Sequence, residues 1–574
     1  MNYTWKLQSL TPQDRKAAEN LATEIGINPI LGKILFKRGI KTSRQAKKFF
    51  HPQLTDLHDP FEMKDMDKAV NRLNEAIGMK EKILVYGDYD VDGCTAVTLV
   101  YKFLQEFYSN VTYYIPDRYE DGYGISFKAI DRAAELGVKV IIILDCGIKA
   151  NREIDYANQL GIDFIVCDHH VPDDELPPAY AILDPKRIDE TYPYHDLSGC
   201  GIGFKLMQAF AQNNGIEFAR LTPFLELCAV SIAADLVPVL GENRILAYHG
   251  LRQLNFNPSV GMQAIINVCG LNDKEIGMPD IIFRIGPRIN ASGRIQNSSE
   301  TIELLIERDL NQAIEKANRI NTYNEARKDI DRQMTEEANA IVDKITNLDD
   351  RRSIVVYNKE WHKGVVGIVA SRLTELYYRP TVVLALDEEG NLTGSARSVA
   401  GFDIYSGIES CKDLLENFGG HTYAVGLTLK EENIKEFIRR FEAYVEKHIA
   451  DEQTAATLEV EAELDFSTIT TAFYHELKKF RPFGPENPEP LFSTSNVYDY
   501  GTSKVVGRGQ EHIKLELVDN KSSNIISGIA FGQSSHARFI KTKRAFNICY
   551  TIAENTYKHG EIQLQIEDIQ PANP

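Results

Sequence analysis

Four short apolar runs between residues 82 and 170 alternate with segments of helical periodicity. The runs are KILVYGD, VTYYIPD, VKVIIILDCG and IDFIVCDHH, and β-branched residues are frequent in them. The segments between them, such as CTAVTLVYKFLQEFY and SFKAIDRAAELG, keep the 3.6-residue period of a helix. Apolar strands that alternate with helices predict a parallel sheet covered on both faces. Ligands of such sheets bind at the carboxyl ends of the strands, where the acidic residues of this sequence lie.

The remaining pattern predicts further domains. Residues 1–60 have the pattern of short helices, and residues 300–346, which lack Pro and Gly, predict long connecting helices. A second α/β unit follows, and after residue 450 short alternating strands with Gly turns predict a small β-barrel. We therefore predict an α/β multidomain protein with domains over residues 1–60, 61–299, 300–346, 347–450 and 451–574.

Composition changes this picture in two respects. The net charge of −18 argues weakly against a nucleic-acid partner, but residues 501–550 contain eight Lys or Arg and three Asp or Glu, a local charge of +5. A basic appendage on an acidic enzyme therefore stays open. The eight cysteines form no CxxC pairs, no run of 18 apolar residues exists, and the start lacks a signal-peptide pattern. We expect free thiols in a cytoplasmic protein without a membrane span.

Three acids follow the first of the four strands. The segment VYGDYDVDG places Asp88, Asp90 and Asp92 at alternate positions before a helix. Carboxylates this close repel one another, and a divalent cation is the usual way to hold them ionised. An acidic turn in solvent is an equal alternative for the isolated motif. An EF-hand is excluded, because its flanking helices and the Glu at its twelfth position are missing.

Other acids and two histidines fall at similar positions. Asp145 follows the third strand, where it could instead cap a helix. Asp235 lies near the end of an apolar helix, where its charge opposes the helix dipole and favours a cation partner. His169 and His170 follow the fourth strand and, taken alone, would more often be surface or core histidines. Together these residues predict a mixed oxygen and nitrogen site suited to Mn²⁺ or Mg²⁺, and no cysteine set supports zinc.

Several motifs carry a family resemblance. GDYDVDG, CDHH and AADLVP resemble the DHH phosphoesterase superfamily. IPDRYEDGYG, FRIGPRINASGRI, WHKGVVGIVASRL, GSARS, FGGHTYAVGL and RPFGPENPEP occur in this order and are similar to the bacterial RecJ-type single-strand-specific exonucleases. The resemblance implies a DHH catalytic domain, a DHHA1 substrate domain and a C-terminal OB-type barrel. It also implies 5′→3′ hydrolysis of single-stranded DNA to 5′-mononucleotides, in DNA repair and recombination.

The resemblance assigns roles to the acidic residues. Two metal ions would share Asp145. Asp90 would bind one ion, with Asp88 as a further candidate, and the other ion would take Asp92, His169 and Asp235. His170 would face the scissile phosphate, and Asp168 would orient its neighbours. Tyr86 stands where many superfamily members have a histidine, which leaves the occupancy of one ion and the role of Asp88 open.

Cationic and Gly-rich positions complete the predicted site. Arg118, Arg288 and Arg294, each predicted in a Gly-rich or Pro-containing loop, could meet the charge that develops on the phosphate; surface salt bridges are the alternative. Gly364 and Gly367 could let backbone amides approach an anion, or could only allow a tight turn. The resemblance adds Arg397, Gly420 and His421 as substrate contacts across a cleft between the domains. On the barrel the plausible strand contacts are Lys504, Arg508, Lys514 and Phe531.

Two other functions compete with this one. A DHH phosphodiesterase would degrade short oligoribonucleotides or cyclic dinucleotides, but such members are generally shorter and lack the terminal barrel. A non-catalytic DNA-binding factor should have lost metal ligands, whereas the acidic set of this sequence is intact. The resemblance implies single-stranded DNA, a single-strand-binding protein and a helicase as partners, and a monomer fits a cleft completed within one chain.

Overall fold

The structure is a computed structural model that describes residues 3–118, 122, 124–296, 298–345, 348–387, 389–450, 453, 455–522, 524–555 and 560–572. The chain divides into two compact units. The large unit comprises residues 7–321 and 460–574, and the small unit comprises residues 1–6 and 322–459. A search of the described helices found none with the length and apolar character that crossing a membrane requires.

Three short helices follow a first strand at the N-terminus. These elements are β1 (Thr4–Leu7), α1 (Pro12–Ile25), α2 (Pro29–Lys37) and α3 (Ser43–Phe50). Thr11, Asn28 and Thr42 precede the helices, and each side chain accepts a hydrogen bond from a backbone N–H of the first turn. The sequence therefore starts each helix locally, since such caps satisfy otherwise unpaired amides.

A five-stranded parallel sheet forms the centre of the large unit. After α4 (Met66–Gly78), its strands are β2 (Lys82–Gly87), β3 (Val111–Tyr114), β4 (Val138–Leu144), β5 (Asp163–Cys167) and β6 (Ala181–Leu183), in the spatial order β3-β2-β4-β5-β6. All neighbouring pairs are parallel. The predicted parallel sheet is confirmed. The sequence pattern missed β6, because three residues are too few to show a period.

Helices cover both faces of this sheet. On one face lie α4, α5 (Val91–Gln105) and α8 (Gly199–Asn213), and on the other lie α6 (Phe127–Glu135) and α7 (Asn151–Gln159). The chain continues with α9 (Leu225–Ala234), α10 (Gly241–Phe256), α11 (Val260–Cys269), α12 (Met278–Asp280), α13 (Gly286–Ile295) and α14 (Ser299–Leu305). Asp235 directly follows α9, as predicted. The predicted loop around Arg288 and Arg294 was wrong, because both lie in α13. A π-helical turn, Ile281–Ile285, leads directly into α13, and Pro287 follows this turn, where the regular α-helical hydrogen bonding is already interrupted.

The 33-residue helix α15 (Leu310–Val342) begins in the large unit and continues into the small unit. The small unit contains β7 (Ile354–Asn358), α16 (Val366–Tyr377), β8 (Thr381–Leu386), β9 (Asn391–Arg397), α17 (Ile404–Glu409), β10 (Leu415–His421), β11 (Ala424–Lys430) and α18 (Ile434–His448). Its mixed sheet has the order β10-β11-β9-β8-β7, in which only β7 and β8 are parallel. The strand β12 (Thr457–Val460) pairs with β1.

The C-terminal part of the large unit is a closed β-barrel. Its elements are β13 (Ala462–Glu463), α19 (Thr471–Lys478), β14 (Phe492–Asp499), β15 (Lys504–Val506), β16 (His512–Asp519), β17 (Ile526–Ala530), α20 (Ala537–Ile540), β18 (Phe546–Glu554) and β19 (Ile562–Pro571). The ring β14-β18-β19-β17-β16 closes because β14 also pairs with β16. A five-stranded barrel of this kind confirms the predicted OB-type fold.

The barrel shares its hydrophobic core with the N-terminal helices. Leu31, Leu35 and Phe49 from α2 and α3 are buried in the same cluster as Phe480 and Phe492 from the barrel part of the chain. Removing the barrel would therefore expose the apolar faces of α2 and α3 to water. Surface substitutions, rather than deletion of the barrel, are the appropriate test of its role.

Candidate metal centre

The carboxyl ends of the central strands bring acidic and imidazole groups together. Asp88 follows β2, Asp145 follows β4 and His169 lies two residues after β5. Because these strands are parallel neighbours, their ends meet at one edge of the sheet. Asp235 joins them from the end of α9.

Among the described residues, three sets of side chains offer ligand atoms within 4.8 Å of one another. They are Asp88, Asp90 and Asp145; Asp145, His169 and His170; and Asp92, His169 and Asp235. His169 Nε2 lies 3.2 Å from Asp145 Oδ1 and 3.5 Å from Asp235 Oδ2. The sets overlap at Asp145 and His169, so adjacent cations could share these residues.

Burial makes this cluster of negative charges costly without a cation. Burial, followed by the charges of Asp92 and Asp90, raises the pKa of Asp145 well above its ordinary value. Burial and Asp90 raise the pKa of Asp92 to about 6, and burial and Asp92 raise that of Asp235 to about 8. Bound cations would lower these pKa values, because an opposite charge favours the ionised carboxylate.

Three atoms of the cluster are buried without a hydrogen-bond partner among the described residues: Asp88 Oδ1 and both ring nitrogens of His169. Buried polar atoms normally have a partner, so unpaired oxygen and nitrogen atoms in one cluster fit a missing ligand. Carboxylate oxygens with imidazole nitrogen suit Mn²⁺ or Mg²⁺. The acidic and histidine groups are therefore positioned to hold metal ions.

Asp145 owes its position to strand pairing and to a glycine. Its backbone N–H donates to the carbonyl of Cys167, 2.9 Å away, and its φ of +61° turns the chain sharply at the end of β4. The helix-cap alternative is excluded, since α7 starts only at Asn151 with Ala150 at its cap position. A Cβ at Gly199 would lie 2.8 Å from the Asp145 side chain, so only glycine lets α8 approach it.

The start of α8 fixes a second carboxylate. Asp92 accepts hydrogen bonds from the backbone N–H groups of Gly199 and Cys200 and from Ser231 Oγ, each at 2.7 Å. Amides at a helix start favour negative charge. These contacts were not predicted; the available signal was SGCGIG at residues 198–203, a Gly-rich segment that opens a helix. Asp90 instead caps α5, accepting from Gly93 N at 3.0 Å.

Asp168 orients the histidine pair. Its Oδ1 lies 2.7 Å from His170 Nδ1 and accepts the backbone N–H of His169 and of His170. Burial lowers the pKa of His170, but the hydrogen bond to Asp168 outweighs this effect and raises the pKa to about 9. Burial and the His170 charge lower the pKa of His169 to about 3. His170 is thus cationic at neutral pH, whereas His169 is neutral, as metal ligation requires.

The predicted arginines differ in their surroundings. The Arg118 guanidinium lies 5.1 Å from the ring centre of Tyr89, and the charges of both Arg118 and Arg294 act on Tyr89. Arg288 instead donates to Asn321 Oδ1 and to the Arg284 carbonyl, and none of its described contacts is to the acidic cluster. Residues 119–121 and 123 of the IPDRYEDGYG motif lie outside the described residues.

Two further residues bear on the cluster. Lys186, which the sequence analysis missed, contributes its charge to the environment of Asp235 and His169. No sequence signal pointed to it, because the short strand that precedes it was not predicted. Tyr86 is fully buried in the core, stacks on Tyr114 and donates its hydroxyl hydrogen bond to the Gly124 carbonyl at 2.7 Å.

In the small unit, predicted substrate contacts lie at the start of α16 and at strand ends. Arg397 ends β9, and its guanidinium reaches α16, since a Cβ at Gly367 would be 3.0 Å from it. The N–H of Gly364 donates to His362 Nδ1. At the end of β10, Gly420 has a φ of +149° and approaches the Ala424 carbonyl so closely that a Cβ would clash at 2.2 Å. His421 follows it.

The β15–β16 side of the barrel carries three cations and an exposed aromatic ring nearby. Lys504 lies opposite Lys514 in the β15–β16 pair, and Arg508 is exposed in the turn between these strands. Phe531 is 60% exposed, and its ring packs edge-on against His512 at 5.0 Å between ring centres. This surface has the groups that bind single strands: cations for the backbone and rings for the bases.

Comparison with known proteins gives a family match for each part of this architecture. Residues 82–232 match the DHH family, N-terminal domain; residues 350–447 match the DHHA1 domain; and residues 460–568 match the RecJ OB domain. The crystal structure of RecJ from Thermus thermophilus in complex with Mn²⁺ has the same fold. Its TM-score is 0.85 at 24% sequence identity, and the match covers 99% of this chain and 80% of that one.

Two proteins of similar sequence match almost the whole chain. The single-stranded-DNA-specific exonuclease RecJ of Bacillus subtilis is 37% identical over 522 residues, which cover 91% of this chain and 65% of that protein. This chain thus spans less than two thirds of that relative. The protein of the same name from Haemophilus influenzae is 30% identical over 567 residues, 96% of this chain and 98% of its own length. With three matching domains and a relative covered almost end to end, this chain belongs to the RecJ family.

Proposed function

We propose that this protein is a metal-dependent exonuclease that hydrolyses single-stranded DNA in the 5′→3′ direction to 5′-mononucleotides, in DNA repair and recombination. The observation that carries the proposal is the set of overlapping ligand groups around Asp145 and His169. The relatives of this chain are named single-stranded-DNA-specific exonucleases, which supports it. The basic and aromatic face of the barrel supports a strand as the substrate.

The proposed centre would hold two ions of Mn²⁺ or Mg²⁺, and Asp145 would contribute to both. Asp90 would bind one ion together with Asp88, whose unpaired oxygen supports this role, and Asp92, His169 and Asp235 would bind the other. When bound, such ions stabilise the charge that develops on the phosphate and lower the pKa of water.

The protein's own groups act on the phosphodiester from the solvent side. His170 is one-third exposed and cationic, so it can donate a hydrogen bond to a phosphate oxygen while Asp168 holds its other nitrogen. Arg118 and Arg294 offset the negative charge that grows in the transition state, and we propose the same role for Arg288. In the small unit we assign substrate contacts to Gly364, Arg397, Gly420 and His421.

The proposal is tested by digestion of end-labelled oligonucleotides with Mn²⁺, Mg²⁺ or a chelator. We expect single-stranded DNA with a 3′ label to shorten from its 5′ end and release mononucleotides, with duplex DNA resistant and with no reaction in chelator. The substrates for comparison are RNA of the same sequence, a short oligoribonucleotide and a cyclic dinucleotide. Preferential cleavage of the last two would establish the alternative phosphodiesterase, and digestion from the 3′ end would refute the proposed direction.

The barrel surface can be tested without disturbing the fold. We expect the Lys504→Glu/Lys514→Glu variant to bind a 30-nucleotide strand about tenfold more weakly, with a smaller salt dependence, because two backbone contacts are lost. Cleavage of a tetranucleotide should change little, because binding of so short a strand depends mainly on the metal centre. Binding is measured by fluorescence anisotropy at several salt concentrations.

The matched control is Lys16→Glu, which reverses an exposed lysine on α1. It should leave binding and cleavage as in the wild type. Equal losses on the long and the short substrate in the double variant would contradict the proposed role of the barrel face.

The proposal extends to the cellular setting of the enzyme. All eight cysteines are buried free thiols, which supports a reducing compartment, and we propose the cytoplasm. The family resemblance supports a single-strand-binding protein and a helicase as partners, and we propose that the enzyme acts as a monomer.

A further inference from the structure

Tyr89 stands between two carboxylates of the metal centre and contacts an arginine. It separates Asp88 from Asp90 in the sequence and is half-buried. Its ring lies under the guanidinium of Arg118, with 5.1 Å between the Arg118 guanidinium carbon and the ring centre. A cation over an aromatic face is attracted by the electron density of the ring.

The backbone of Tyr89 is anchored on its other side. Its carbonyl accepts a hydrogen bond of 2.9 Å from Ser298 Oγ, and Ser298 is buried. A Cβ at Gly293 would lie 3.2 Å from this carbonyl and 2.3 Å from Ser298 Oγ, so the end of α13 closes tightly on Tyr89. These contacts hold the backbone from which the Tyr89 ring projects.

The carboxylates beside Tyr89 attract the Arg118 guanidinium, so the Tyr89 ring is needed to hold it in place. Burial raises the pKa of Tyr89 to about 12, and Arg118, Asp88, Asp90 and Arg294 all act on its hydroxyl. Arg118 also lies within electrostatic reach of Asp88. A long, flexible guanidinium would be drawn onto these acids and away from an incoming phosphate. The planar Tyr89 ring instead favours one orientation of the Arg118 guanidinium, over the face of the ring.

We propose that Tyr89 is a positioning residue that holds Arg118 over the metal centre for contact with the substrate phosphate. The inference rests on the proposed function, and it assigns to Tyr89 a role through Arg118 rather than through metal binding. Preorganisation of this kind favours catalysis, because the cation does not have to reorient when the substrate binds.

The test is a double-mutant cycle with single-stranded DNA in Mn²⁺. We expect Tyr89→Leu to lower kcat/KM about tenfold, because the ring is lost while the bulk is kept. Tyr89→Phe, which retains the ring, should restore most of that activity. In an Arg118→Ala background, Tyr89→Leu should lower kcat/KM by less than about twofold, because the group that it positions is already absent.

Two further measurements separate positioning from general damage. Mn²⁺ binding, followed by electron paramagnetic resonance, should be the same in Tyr89→Leu and in the wild type. Tyr101→Leu removes another half-buried ring from the same unit and should leave kcat/KM within about twofold, since Tyr101 contacts only Tyr113 and Gln105 among its described ring and hydrogen-bond partners.

Each outcome decides the inference. A full tenfold loss in the Arg118→Ala background, a loss in Tyr89→Phe equal to that in Tyr89→Leu, or weakened Mn²⁺ binding would overturn it while leaving the exonuclease assignment intact. A wild-type protein that degrades no single-stranded DNA would refute the proposed function, and the role of Tyr89 with it.

Discussion

Replacing Asp145 with Asn is expected to abolish hydrolysis of single-stranded DNA, with a loss of kcat of at least about 10³-fold. Asp145 belongs to two of the three ligand groups, and Asn replaces one of its carboxylate oxygens by an amide nitrogen and removes the negative charge, which weakens the binding of both proposed ions. Asn suits the test better than Ala, because Asp145 has a φ of +61° and Asn tolerates this conformation at low cost. The variant therefore changes charge and leaves the backbone unstrained.

Without metal, Asp145→Asn should increase the stability of the folded protein. In the folded protein, burial and the charges of Asp92 and Asp90 raise the pKa of Asp145 above its value in the unfolded chain. Such a carboxyl stabilises the fold at low pH, and the stabilisation is lost as pH rises. At pH 8 in chelator, Asp145→Asn should therefore unfold at a higher temperature than the wild type, and added Mn²⁺ should raise its melting temperature less.

Calorimetry in chelator and in Mn²⁺, combined with the digestion assay, checks both halves of this prediction. Asp155→Asn is the matched control, since it neutralises an exposed aspartate on α7 and should change neither measurement. Near-wild-type hydrolysis by Asp145→Asn would refute the shared-ligand assignment. A lower melting temperature in chelator would contradict the electrostatic argument.

Replacing Arg244 with Ala is expected to lower the free energy of unfolding by about 3–5 kcal/mol. Arg244 projects from α10 and is buried, and its guanidinium packs 3.7 Å from the ring centre of Phe49. It donates hydrogen bonds to the backbone carbonyls of Phe49, Phe480, Arg481 and Pro482. The Arg244 side chain thus links α10 to α3 and to the segment that follows α19.

The cost arises from the groups that Arg244 leaves behind. The carbonyls of Phe480 and Pro482 keep a second donor in Asn487 Nδ2, at 2.9 and 2.7 Å. The carbonyls of Phe49 and Arg481 lose their Arg244 donor, and a cavity opens beside the Phe49 ring. Buried unpaired carbonyls and an unfilled cavity both destabilise the folded state.

Urea unfolding followed by circular dichroism measures this effect. Arg252→Ala is the matched control, because Arg252 is an exposed arginine on the same helix and should change stability by less than about 0.5 kcal/mol. Equal stabilities of the two variants would contradict the role of Arg244 as the link between these parts of the large unit.

Periodicity determined much of the fold. The runs that became β2, β4 and β5 are apolar over most of their length, as strands buried on both faces must be. The alternating pattern of β16 produced a barrel strand with Ile513 inside and Lys514 outside. The pattern failed where elements were short or where a local signal was misleading. β6 has only three residues, and glycine and proline in α13 suggested a loop, although both fit a helix at these positions.

The sequence alone determined the ligand candidates, because carboxylates and histidines at strand ends meet in any parallel sheet. Only the tertiary structure showed their different surroundings. Asp168 Oδ1 lies 2.7 Å from His170 Nδ1, and Asp92 accepts hydrogen bonds from the start of α8, which is distant from it in the sequence. Tyr89 and Arg244 show most clearly what the tertiary structure added. Their partners lie on distant segments of the chain, and no local pattern reveals them, because side-chain packing between distant segments depends on the complete fold.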